Sequence, residues 1–136
     1  VGAIPNIEIR RLSGALGAEV ECVDLGQIDD ATFAAIYEAF LVHQVLVFAG
    51  QKLDADAYTA LASRFGAPAI YPFTEGLESH PEITPLIKEA HQTSNFGGMW
   101  YAGTTYQAAP PKATMLMARE TPEAGGDTLF ACQYKA

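Results

Sequence analysis

Met99-Trp100-Tyr101-Ala102-Gly103-Thr104-Thr105-Tyr106 sets three aromatic residues around a small, polar centre. It leaves a polar, glycine-rich run, Gln92 to Gly98, that reads as a loop by composition. Trp100 to Tyr106 then reads as ordered strand, on which residues 101 and 103 share one face because side chains at i and i+2 point the same way. Beyond it, Ala113, Met115 and Met117 alternate with Thr114, Leu116 and Ala118 within Lys112 to Glu120. Both faces of that segment are largely apolar, so the pattern predicts a strand inside a sheet sandwich. Glu123 to Gly126 supplies a turn, and Thr128 to Ala131 starts another strand.

Working outward, the N-terminal third reads strand, strand, helix, strand. Ile7, Ile9 and Leu12 suggest a short first strand, broken by Ser13-Gly14 and Gly17. From Ala18 to Val23 the period-two pattern sets Val20 and Cys22 against Glu19 and Glu21, as in a half-buried strand. Asp29-Asp30 offer cap oxygens to a helix over about 31–43 with Phe33, Ile36, Tyr37, Phe40 and Leu41 on its apolar face. Val45 to Phe48 is continuous apolar sequence, predicting a strand buried on both faces. Asp54 caps a second helix, about 54–65, with Tyr58, Leu61, Ala62 and Phe65 as its buried stripe. Gly66 takes the left-handed position that ends such a helix, with Pro68 just beyond. Four prolines interrupt Ala67 to Gly98, leaving Ile83 to Lys88 as its strand-like run.

A chain of 136 residues with 49% apolar content can build one core, burying roughly 70% of its unfolded surface. A single domain over 1–136 is therefore expected. Net charge is -8 and the eight basic residues are scattered, which excludes a nucleic-acid footprint. No apolar run approaches the roughly 20 residues that span a bilayer, and Val1 does not open a signal peptide. The expectation is a soluble, cytoplasmic protein that binds neither nucleic acid nor membrane. Cys22 and Cys132 lack metal or redox spacing and read as two small core residues.

Several segments in order resemble one family. Leu12 to Val20 followed by Val23-Asp24-Leu25, His43 to Phe48, Ala62 to Gly66, Pro110-Pro111, Ala118-Arg119-Glu120 and Gly125-Gly126-Asp127-Thr128 are similar to the Fe(II)/2-oxoglutarate dioxygenases related to taurine dioxygenase and 2,4-dichlorophenoxyacetate dioxygenase. The resemblance implies an α+β, mainly β fold: a jelly-roll, cupin-like double-stranded β-helix with N-terminal flanking helices, here incomplete. It implies Fe(II) and 2-oxoglutarate as cofactors and a small, often anionic, organic substrate.

The family's metal strand reads W-H-x-D-x-T-F/Y. Trp100, Thr105 and Tyr106 match it, but Tyr101 stands where the histidine belongs and Gly103 where the aspartate belongs. A facial triad needs two histidines and a carboxylate. A phenol and a hydrogen atom do not supply such a pair. Tight binding of either cofactor is therefore not expected, and no residue is assigned to metal or to catalysis. Among the other histidines, His43 ends a helix, His80 precedes Pro81 in a polar turn, and His91 is the first alternative ligand but lacks a partner at ligand spacing.

Residue by residue, the resemblance implies that Thr128 helps hold the 2-oxoglutarate carboxylate and that Tyr71, Asn95, Thr104 and Tyr106 line the substrate pocket. Read without the family, Thr128 is a strand-start residue after a Gly-Gly turn, and the others are core filling and turn chemistry. In the family the distal histidine and the 2-oxoglutarate arginine lie in C-terminal strands. The expectation is therefore an unfinished barrel that self-associates or lacks its C-terminal half. A dioxygenase altered at its ligands, a non-catalytic binding module and a structural fragment all remain open on the sequence.

Overall fold

The alternation at Ala18–Glu21 becomes the centre of a three-stranded sheet. The computed structural model describes residues 7–94 and 97–136. They divide into two compact units, Val1–Leu53 with Met117–Ala136, and Asp54–Leu116.

In the first unit, β1 (Glu8–Arg11) pairs antiparallel with β2 (Ala18–Glu21), matching Glu8 to Glu21 and Arg10 to Glu19. β3 (Leu46–Val47) adds in parallel to the other edge of β2, with Ala18 opposite Leu46. Ala18 and Val20 point to one face and are buried, whereas Glu19 and Glu21 on the other face meet Arg10. The helix α1 (Asp30–His43) makes the crossover between the two parallel strands. Asp29 caps it by accepting from the Thr32 N–H at 2.8 Å, and Asp30 favours the positive first turn.

The helix ends at Gln44, a non-glycine residue at φ 66°. Its N–H donates to Phe40 O at 2.7 Å, and Val45 N–H reaches back to His43 O at 2.8 Å. That three-residue turn is a strained way to reverse a chain. It persists here because both flanking groups are used: Gly17 N–H donates to His43 O and Ala18 N–H to Val45 O. The Gln51 side chain adds a second tie, accepting from Leu25 N–H and donating to Val23 O. Leu25, Ile36, Ala39, Leu53 and Cys132 are the other buried hydrophobic residues among the described residues of this unit.

The second unit is organised by α2 (Ala55–Phe65), capped by Asp54 accepting from Ala57 N–H at 2.8 Å. Leu61 is buried and Tyr58, Ala62 and Phe65 are half-buried, as the stripe predicts. The Tyr58 hydroxyl donates to Met115 O at 2.6 Å, and burial pushes its phenol pKa up.

Several expectations are corrected. Leu41 is exposed and Ala39 takes its place inside, because Leu41 lies about 140° round the helix from Ile36. Val45 to Phe48 is not buried on both faces: β3 is a two-residue edge strand with Val47 exposed. Gly66 caps α2 at φ 153°, ψ 178°, an extended glycine conformation and not the left-handed helical one. Cys22 is exposed at φ 61°, where β2 ends, so only Cys132 is a core thiol. Ile83 to Lys88, Trp100 to Tyr106, Lys112 to Glu120 and Thr128 to Ala131 form no strands among the described residues. In Lys112 to Glu120 only Met115 and Met117 are half-buried, so this segment is not sandwiched in a sheet. Alternation licenses a strand only where a neighbour supplies the ladder. The α+β class holds, but helices of 14 and 11 residues outweigh strands of four, four and two.

Removing the Tyr58 hydroxyl strips Met115 O of its donor, so Tyr58→Phe should cost about 0.5–1.5 kcal/mol. Removing the cap with Asp54→Ala should cost about 1 kcal/mol. Urea unfolding followed by circular dichroism measures both; a Tyr58→Phe curve superimposing on the parent's would remove this bond from the account.

Candidate functional site

The segment that carries the resemblance is a turn. Gly97 sits at φ 73° and Gly103 at φ 62°, and Gln107 N–H donates to Thr104 O at 3.1 Å. Positive φ at Gly103 breaks the i, i+2 alternation, so Tyr101 and position 103 do not share a strand face, contrary to the sequence reading. Tyr101 is 73% exposed, and a Cβ built on Gly97 would sit 3.7 Å from its ring edge. Residues Gly97 to Tyr101 line an open concavity of about 430 Å³. Thr104, half-buried, and Tyr106, exposed, are not among the residues that line it. Asn95 lies outside the described residues.

Tyr71 belongs to a different concavity, of about 730 Å³, formed by Ile70 to Glu78 with Pro81. Its ring meets Phe73 edge to face, with centroids 5.4 Å apart and planes at 73°. Gly76 is required there: a Cβ would fall 2.1 Å from Pro81 O, far inside van der Waals contact. Leu77 N–H donates to Ile83 O at 2.9 Å, while His80 N–H to Leu77 O and Ile83 N–H to His80 O close the same loop.

A polar network ties this loop to the first turns of α2. His80 Nε2 is 2.9 Å from Asp56 Oδ1, and Nδ1 is 3.0 Å from Ser79 Oγ. A carboxylate only accepts, so Nε2–H donates to Asp56, and in the neutral ring Nδ1 accepts from Ser79. Thr59 Oγ1 donates to Glu82 Oε1 at 2.9 Å. Glu82 is held below the usual carboxylate range, first by its own backbone N–H and then by the Thr59 hydroxyl; these outweigh the opposing effect of desolvation, and His80 adds the smallest pull. Sequence reasoning placed His80 in a turn but missed these partners. The Ser-His pair was visible; Asp56, 24 residues away, was not.

His91 is exposed, on a loop that Lys88 Nζ ties by donating to Gln92 O and Ser94 O at 2.5 and 2.7 Å. Thr128, in the other unit, is exposed and follows Gly125 and Gly126 at φ 80° and 76°. Among the described residues no group of three or more His, Cys, Asp or Glu converges to hold a metal. An exposed phenol at 101 and a side-chain-free turn residue at 103 do not fit an iron that requires imidazole and carboxylate.

The chain belongs to the taurine catabolism dioxygenase TauD, TfdA family, whose sequence profile matches residues 8–136. The alkylsulfatase of Acinetobacter baylyi is 32% identical over 128 residues, 93% of this chain and 39% of that protein. An alpha-ketoglutarate-dependent sulfate ester dioxygenase of Pseudomonas putida is 31% identical over 128 residues, covering 93% of this chain and 42% of the relative. A solved taurine dioxygenase from Burkholderia xenovorans is similar with a TM-score of 0.53 at 33% identity, covering 57% of this chain and 28% of that one. The chain thus spans less than half the length of these relatives.

Because Glu82 is acidified in the folded state, the unfolded chain binds its proton more readily. Its contribution to stability is complete above the ordinary value of 4.5 and is lost as pH falls through the lower folded value. Glu82→Gln should therefore flatten the acid limb of the stability curve and leave its neutral slope unchanged. Unfolding midpoints measured from pH 7 down to about 3 test this; parallel acid limbs for parent and variant would overturn it.

Proposed function

We propose that this chain carries the N-terminal scaffold of an Fe(II)/2-oxoglutarate-dependent dioxygenase of the TauD type, acting in the family on a small organic substrate, and is itself without oxygenase activity. The single observation that carries the second half is the pair Tyr101 and Gly103 at the positions of the family's metal-binding histidine and aspartate. Membership in the family and relatives named as alpha-ketoglutarate-dependent dioxygenases support the first half. In this reading the scaffold is part of a double-stranded β-helix, in a single domain over 1–136, in the cytoplasm. Thr128 keeps the family's 2-oxoglutarate threonine, and Tyr71, Asn95, Thr104 and Tyr106 keep pocket positions. A non-catalytic binding module is the second reading, favoured by the concavity around Tyr71.

Anaerobic Fe(II) titration with a succinate-release assay separates these states. The unaltered chain should give no saturable Fe(II) binding and no succinate. In Tyr101→His/Gly103→Asp, a Cβ at 103 meets nothing within 4 Å, and aspartate enters the left-handed region more readily than most residues. That variant should gain Fe(II) affinity but still release no succinate, since no residue of this chain is matched to the family's distal histidine or arginine. Succinate from the unaltered chain would end the reading and direct attention to His91.

Self-association belongs to the same proposal. Met99 and Trp100 in one unit, and Leu129 and Phe130 in the other, are all more than half exposed, and adjacent exposed apolar side chains favour association. Light scattering should detect species whose mass grows with concentration; a monomer throughout would remove this part.

A further inference from the structure

β1 lies at one edge of the sheet and β3, only two residues long, at the other. Hydrogen bonding decides which β1 groups face outward. Leu12 N–H donates to Gly17 O, continuing the β1–β2 register, so Leu12, Arg10 and Glu8 turn their backbone groups toward β2. Alternation then points the N–H and C=O of Ile9 and Arg11 away from it. The opposite strand agrees: Ala18, across from Arg11, donates its N–H to Val45 O on the side of β3. Among the described residues no strand takes up the outward groups of Ile9 and Arg11. An open edge of this kind is a template for another strand.

The side chains select which strand. Glu8 and Arg10 share the polar face, while the exposed Ile9 shares the other face with the buried Val20 across from it. Within the chain Glu8 stands opposite Glu21, a like-charge pair, and it forms no ion pair among the described residues. A second β1 laid antiparallel about a two-fold axis at Ile9 sets Glu8 opposite the partner's Arg10, and Arg10 opposite the partner's Glu8. Ile9 then meets the partner's Ile9, extending the Val20 row across both copies. In that register the two Ile9 residues exchange backbone bonds, and theirs are the groups that point outward. The adjacent two-fold registers would oppose Glu8 to Glu8 or Arg10 to Arg10, and an odd offset would turn the apolar face to the polar one. We propose that the β1 edge is a dimer interface, formed by a second copy of this chain paired antiparallel through Ile9. Such an interface is isologous and closes at two copies. It uses none of the exposed apolar residues at 99, 100, 129 and 130, and it does not rest on the oxygenase reading.

Sedimentation of the 136-residue chain at about 0.15 M ionic strength, where its net charge of -8 is screened beyond roughly 8 Å, reads the assembly. The mass should rise from 14.5 kDa toward twice that value as concentration increases. Glu8→Arg should weaken the dimer about tenfold, because two attractive cross-strand pairs become repulsive. Within the chain the same change puts opposite charge across from Glu21, so the fold is kept. Mixing Glu8→Arg with Arg10→Glu should restore association as a heterodimer, since every arginine then faces a glutamate. Oxidised Ile9→Cys should give a disulfide joining position 9 of both copies, identified by peptide mapping, because opposed Cα atoms in a bonded pair are about 5.5 Å apart. Arg11→Cys should not, its two copies being offset by about four residues, roughly 14 Å. A chain that stays monomeric up to about 1 mM would leave the edge to another occupant and overturn the proposal. A Glu8→Arg dimer as tight as the parent's, or equal cross-linking at positions 9 and 11, would overturn it as well. Association through the apolar residues at 99, 100, 129 and 130 does not respond to Glu8→Arg, so the two are told apart.

Discussion

The first unit depends on β2 being paired along both edges. β1 takes one edge in antiparallel register and β3 the other in parallel register. Parallel pairing requires a crossover, and α1 supplies it. The crossover must end where Val45 can face Ala18, which is what the positive-φ turn at Gln44 achieves. Strain at that residue is thus offset by the two backbone bonds that Gly17 and Ala18 donate. The thiol of Cys132 also donates to the Gln44 side chain at 3.3 Å, and Lys135 Nζ donates to Gly14 O at 3.0 Å. The last residues of the chain are held to this unit by these two contacts.

The second unit is held by polar pins more than by burial. Leu61 is its buried apolar side chain, while Tyr58 to Met115, Thr59 to Glu82 and Asp56 to His80 join α2 to segments without regular structure. Individually such exposed or half-buried bonds contribute modestly. Together they fix the direction of a proline-broken loop that has no ladder of its own, and with it the aromatic and carboxylate lining around Tyr71.

Family membership and chemistry are separate questions in this molecule. The scaffold matches the family along nearly the whole chain, yet chemistry resides in particular donors, not in a fold. In the function proposed above, Tyr101 and Gly103 stand in place of an imidazole and a carboxylate, and Gly103, at φ 62°, lets the backbone turn there.

The two helices, their aspartate caps, the alternation of β2 and the family are legible in the residues alone. Each rests on contacts within a few residues: a cap oxygen reaching an N–H three residues on, or side chains alternating along one strand. The absence of imidazole and carboxylate at positions 101 and 103 was equally legible, since donor chemistry belongs to the residue type. Tertiary structure alone decided which apolar runs became strands. Val45 to Phe48 found one neighbour and formed an edge; Lys112 to Glu120 and Thr128 to Ala131 found none among the described residues. Strand formation needs a partner from any distance along the chain, and local pattern cannot name it. The same holds for His80 and Asp56, and for the lining around Tyr71: both depend on where a loop closes, which only packing fixes.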